Sequence, residues 1–126
     1  RSSSSPSPDP KGPDHVIDQI SVNDLKALMD TNPPRLIDVR EKWEYDAGHL
    51  PGAVWIPMSL VPLRKDEFTS HPPTYVVCRT GNRSGQVVMW LAQQGIRAIN
   101  GAGGTEMWHR HGYQIVTGSQ EGVYTR

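Results

Sequence analysis

The chain has 126 residues, a mass of 14.0 kDa, 13 basic and 13 acidic side chains, and one cysteine. That length fits one domain. Zero formal charge and a pI near 7.1 argue against a polyanion partner, which requires a basic footprint. No apolar run reaches the ~18–20 residues of a membrane helix. One cysteine excludes an intrachain disulfide and a multi-cysteine metal cage.

Residues 1–14 carry five Ser, four Pro and no apolar side chain, which predicts a disordered segment. The chain opens on Arg1 in place of Met, leaving room for a targeting segment removed ahead of it. The folded domain is expected over 15–117, with a polar, fraying tail over 118–126.

Ile17 and Ile20 lead into Ser21-Val22-Asn23-Asp24. There the Ser21 hydroxyl can accept an orphan amide of a helix that continues through Leu25, Leu28 and Met29. Asn32-Pro33-Pro34 stops it. Arg35 to Val39 reads as a buried strand, Glu41 to Ala47 as one or two helical turns closed by Gly48, and Ala53 to Ile56 as a second strand. Met58 to Pro73 is irregular, with a short helix around Leu60 to Asp66. Tyr75 to Val77 is a third strand, ending at Cys78. Polar residues 79–84 follow, then an amphipathic helix from about Arg83 that closes at Gly95. Ile96 to Ile99 reads as a strand, Gly101 to Gly104 as a turn, and Thr105 to His111 as a short helix. Strands and helices alternating at this spacing predict an α/β domain with a mostly parallel sheet.

In such sheets ligands bind beyond the carboxyl ends of strands, which is where Cys78 falls. The loop amides and the helix N-terminus behind them favour an anion and stabilise a thiolate. Arg79 and Arg83 add two cations within five residues, and Gly81 permits a left-handed backbone angle. The competing reading of a lone cysteine is a small buried hydrophobe, which would need no polar, arginine-bearing loop after it.

The segment Cys78-Arg79-Thr80-Gly81-Asn82-Arg83-Ser84 resembles the active-site loop of the rhodanese family of sulfurtransferases. Three further matches occur in family order. They are Leu36-Ile37-Asp38-Val39-Arg40-Glu41; Tyr45 with His49-Leu50-Pro51-Gly52-Ala53 and Ile56; and Gly103-Gly104 with Trp108. The resemblance covers about Ile17 to Val116 and implies a single rhodanese-like domain, its central sheet flanked by helices on both faces.

It also implies chemistry. Cys78 is the expected nucleophile. It would take sulfane sulfur from thiosulfate as a persulfide and pass it to a thiol or cyanide. The amides of Arg79, Thr80, Gly81, Asn82, Arg83 and Ser84 would hold the transferred sulfur, and Arg79 the sulfonate oxygens. Arg83 is a second anion-binding candidate, or a solvated first-turn residue. Arg40 could enter the same crevice, or pair with Asp38, Glu41 or Glu44. No general base is required once the thiolate is formed. His49, held in a turn, reads as structural. His109 and His111 sit two apart, a poor metal pair. The four tryptophans read as core or partly buried packing.

No cofactor, metal, nucleic acid or membrane is expected, and the chain is expected to be a cytoplasmic monomer or weak dimer. The alternatives are a persulfide relay fed by a protein, a non-enzymatic docking module, and a cysteine phosphatase. The last requires an arginine six residues after the cysteine, where this chain has Ser84.

Overall fold

The computed structural model describes residues 17–69 and 73–118. The 1–14 segment, His15, His71 and all of the 118–126 tail beyond Gly118 lie outside the described residues.

Five strands form one sheet: β1 (Asp18–Ile20), β2 (Leu36–Asp38), β3 (Ala53–Trp55), β4 (Thr74–Val77) and β5 (Ala98–Gly101). Their spatial order is β1-β5-β4-β2-β3, and every neighbouring pair is parallel. The helices are α1 (Val22–Thr31), α2 (Lys42–Ala47), α3 (Asn82–Gln93) and α4 (Gly104–Arg110).

Successive strand side chains face opposite ways, and here both faces are buried. Ile37 and Val76 pack with Val87, Val88 and Leu91 of α3 and with Phe68. Leu36 and Val77 pack with Val22 and Leu25 of α1, Tyr45 of α2 and Trp108 of α4. The short apolar runs are what a doubly covered parallel sheet demands. Helix α1 starts as its sequence predicts, with the Asp24 amide donating to Ser21 Oγ at 3.3 Å.

Some elements differ from expectation. Strand β1 carries no apolar alternation: it is an exposed edge held by backbone pairing to β5. Strand β5 starts two residues late, because Gly95 is left-handed (φ 83°) and the Ile96 amide still donates to the Leu91 carbonyl of α3. In place of one helix around Leu60 to Asp66 there are two 3₁₀ turns, Met58–Leu60 and Lys65–Phe68. Pro62 between them has no amide to carry a helical ladder. Gly48 closes α2 in extended backbone, not a left-handed cap. A Cβ there would sit 2.9 Å from the Ile115 side chain, so contact and not φ calls for glycine.

The chain leaves β2 toward β3 in one direction along the sheet and leaves β4 toward β5 in the other, although β2 and β4 are neighbours. Their carboxyl ends therefore open a crevice. Arg40 stands just beyond one end and Cys78 just beyond the other.

Candidate active site

Cys78 follows β4 directly and forms part of an open recess of about 400 Å³, shared with Arg79, Thr80, Asn82, Arg83 and Glu106. The thiol does not project: Cys78 is 1 % exposed. The Gly81 amide donates to its Sγ at 3.0 Å. Gly81 is left-handed (φ 101°), which turns the loop back on the sulfur at no steric cost for this residue type alone.

Helix α3 begins at Asn82, so Cys78 to Gly81 is the loop and Asn82, Arg83 and Ser84 are the first helical turn. Amides at that turn have no acceptor within the helix. The Ser84 hydroxyl turns away from the recess and donates to Asn100 Oδ1 at 2.5 Å, in the core. Ser84 thus offers the site its amide and not its side chain. Asn100 anchors the start of α3, a role the sequence did not mark.

The loop is gripped from its other side by α4. The Thr105 amide donates to the Cys78 carbonyl (2.8 Å) and the Glu106 amide to the Arg79 carbonyl (2.9 Å). A Cβ on Gly104 would lie 2.5 Å from both of those carbonyl oxygens, and Gly104 has φ 59°. This explains the Gly103-Gly104 pair seen in the sequence. Gly104→Ala must push the loop off α4, and a displacement near 1 Å lowers reactivity roughly hundredfold. Steady-state rates alongside a melting curve test this; an active, equally stable variant would contradict the contact.

Of the three arginines around the crevice, two are engaged. Arg40 Nε and Nη2 donate to Asp38 Oδ1 and Oδ2 at 2.9 and 2.8 Å, and Nη2 also donates to the Gly48 carbonyl at 2.6 Å. With the two side chains 6 % and 0 % exposed, this is a buried clamp between β2 and the end of α2. The ion pair with Asp38, one of the expected alternatives, is the arrangement present. Arg83 Nη1 donates to Glu44 Oε1 at 3.1 Å. That gives a reason for a cation in a first helical turn, where the dipole disfavours it. Burial by itself would raise the Glu44 carboxyl. The Glu41 amide, Arg83 and Arg40 outweigh it and hold the group below the usual carboxylate range. Arg79, exposed, has no ion pair among the described residues. Glu106, also exposed and without an ion pair among the described residues, was not singled out by sequence. Its position two residues after Gly104, opposite the cysteine loop, was the available signal.

His49, read as structural, and Tyr45 pack together behind the site. His49 is fully buried, its ring stacked on Tyr45 at 3.7 Å and its Nδ1 2.7 Å from the Tyr45 carbonyl. Its backbone pairs with Val116. Burial, with Asp38 and Asp46 adding to it, pushes the Tyr45 phenol up to about 12, so it stays a neutral donor to the Ala53 carbonyl (2.8 Å). Trp43 departs from expectation: it is 69 % exposed, because the buried residues of α2 are its neighbours Glu44 and Tyr45. It lines a second, larger recess of about 610 Å³ beside the first. Among the described residues no cluster of His, Cys, Asp or Glu could hold a metal ion, and no helix is long and apolar enough to cross a membrane.

Comparison with known proteins matches residues 21–111 to the rhodanese-like domain. A sulfurtransferase of Allochromatium vinosum is 37 % identical over 103 residues, spanning 80 % of this chain and 96 % of that protein. The crystal structure of a rhodanese-like domain protein from Staphylococcus aureus superimposes with a TM-score of 0.68 at 34 % identity, covering 73 % of this chain and 91 % of the other. The thiosulfate sulfurtransferase of Pseudomonas aeruginosa gives a TM-score of 0.73 at 26 % identity, over 82 % of this chain and 21 % of that one. The four ordered motifs, the two-sided parallel sheet and these likenesses agree, and the chain belongs to the rhodanese-like domain family.

Proposed function

We propose that this protein moves sulfane sulfur from thiosulfate to a thiol or to cyanide through a persulfide on Cys78. The observation that carries the reading is the Cys78 sulfur beneath a recess, facing the Gly81 amide, with Arg79 beside it and in no ion pair among the described residues. The Cys78 thiolate attacks the outer sulfur of thiosulfate. A Cys78 S–S bond forms, the S–S bond of thiosulfate breaks, and sulfite leaves with the bonding pair. The acceptor then attacks the outer sulfur, the Cys78 S–S bond breaks, and the thiolate returns. The sulfur moves as a formally neutral atom, so no external oxidant or reductant takes part.

Arg79 grips the sulfonate oxygens by charge-assisted bonds. The amides of Arg79, Thr80, Gly81, Asn82, Arg83 and Ser84 face charge on the sulfurs as preorganised donors. Arg83, held by Glu44, adds positive potential at the rim. Arg40, tied to Asp38, shapes the crevice and does not reach for the donor. The site demands no metal or cofactor. A single reactive thiol suits a reducing compartment such as the cytoplasm, and a monomer or weak dimer suffices.

Incubation with thiosulfate should add about 32 Da to the intact protein, lost on adding cyanide or dithiothreitol as expected of a labile persulfide. An unchanged mass sinks the reading. Arg79→Ala should raise the KM for thiosulfate roughly 10- to 100-fold, the range for one lost charged hydrogen bond. Unaltered thiosulfate kinetics would remove Arg79 from sulfonate binding.

A further inference from the structure

Beside the sulfur recess lies the larger one, of about 610 Å³, a volume in the usual range for small-molecule sites. Arg79 and Glu106 line both and form the boundary between them. Each side chain is exposed and charged, and they do not pair with one another or with any other described residue. Trp43, 69 % exposed, and the exposed His109 stand on the same wall. So does Thr105, 7 % exposed.

We propose that the larger recess is the acceptor subsite and that its occupant is a small zwitterionic cysteinyl thiol, cysteine itself or a short cysteinyl peptide. The inference rests on the sulfurtransferase reading above, whose acceptor it specifies. The chemistry of the wall selects this class. Arg79 offers a forked cation for a carboxylate, Glu106 a counter-charge for an ammonium, and Trp43 an exposed ring face on which a cation can lie. A purely anionic thiol would meet Glu106, and a purely cationic one would meet Arg79.

Arg79 and Glu106, common to both linings, make the two recesses neighbours. The outer persulfide sulfur would extend about 2 Å beyond Cys78 Sγ, in the recess that adjoins the acceptor's at Arg79 and Glu106. The acceptor thiolate attacks that sulfur and forms a new S–S bond. The Cys78 S–S bond breaks, with its electron pair returning to Cys78. The acceptor leaves as a persulfide, and its original thiol proton passes to solvent.

Two measurements test this. In the first, protein loaded with sulfur to the 32 Da mass gain reacts in single turnovers with cysteinylglycine, cysteamine, 3-mercaptopropionate and 2-mercaptoethanol. The rates are compared after allowing for each thiol's own acidity. Cysteinylglycine should saturate and lead the others about tenfold in efficiency, the effect of one charged contact. Glu106→Gln should erase the lead over 3-mercaptopropionate. Rates that follow thiol acidity alone, without saturation, overturn the proposal.

In the second, the unreactive S-methyl form of cysteinylglycine is titrated calorimetrically into unloaded protein. One-site binding weakened about tenfold by Trp43→Ala is expected; no binding overturns the subsite whatever the sulfur chemistry. A protein that binds the dipeptide yet takes no sulfur from thiosulfate would sink the donor reading and keep the recess. One that takes sulfur, binds nothing and shows no zwitterion preference would sink the recess alone.

Discussion

Cys78→Ser is expected to abolish the 32 Da gain and to lower thiosulfate turnover by on the order of 10⁴-fold, as removal of a covalent nucleophile does. An oxygen at this position cannot form the S–S bond on which the two half-reactions depend. The substitution is mild for the fold. The side chain is small, Gly81 can donate to a hydroxyl as it does to the sulfur, and the loop geometry is set by backbone bonds from α4. Melting within a few degrees of the parent should accompany the loss, so inactivity would reflect chemistry and not unfolding. Appreciable sulfur transfer by the folded serine variant would end the Cys78 mechanism.

Asp38→Ala carries the second large effect, on stability. It leaves the Arg40 guanidinium 6 % exposed with its main counter-charge gone. Breaking a buried ion pair from one side costs about 3–5 kcal/mol. For a domain of this size that lowers Tm on the order of 20 °C. Removing both charges with Asp38→Leu and Arg40→Met should recover much of the loss, because no uncompensated charge remains. A double variant no more stable than Asp38→Ala would show that the bond to the Gly48 carbonyl, and not the paired charges, holds the crevice wall. Urea or thermal unfolding of the parent and the two variants decides it.

The elements that fill the core were legible in the sequence because burial writes a pattern. Leu36-Ile37 and Val76-Val77 send side chains to opposite faces, and both faces are apolar. Strand β1 wrote none, since Asp18 and Gln19 are exposed and turn their side chains to polar partners, Arg97 and Asn100. At the site, Cys78 and its loop stood out through residue type and order. What Arg40 and Arg83 do could not be read that way. An arginine's partner is chosen in three dimensions, here Asp38 two residues away and Glu44 on another helix. Glu106 and Asn100 were invisible for the same reason: one comes to the loop from α4 and the other to the start of α3 from β5. Trp43 was misread because a large aromatic is assigned to the core by default, while the short α2 buries Tyr45.

The two amide bonds from α4 onto the Cys78 and Arg79 carbonyls reach across more than twenty-five residues of chain, past α3 and β5. A chain that has formed β4 and α3 but has not docked α4 holds a cysteine on a loop without its shape. Full reactivity is therefore expected only once α4 has docked, a non-local contact. The Thr105 and Glu106 amides should exchange with solvent at the rate of global opening and not of local fraying.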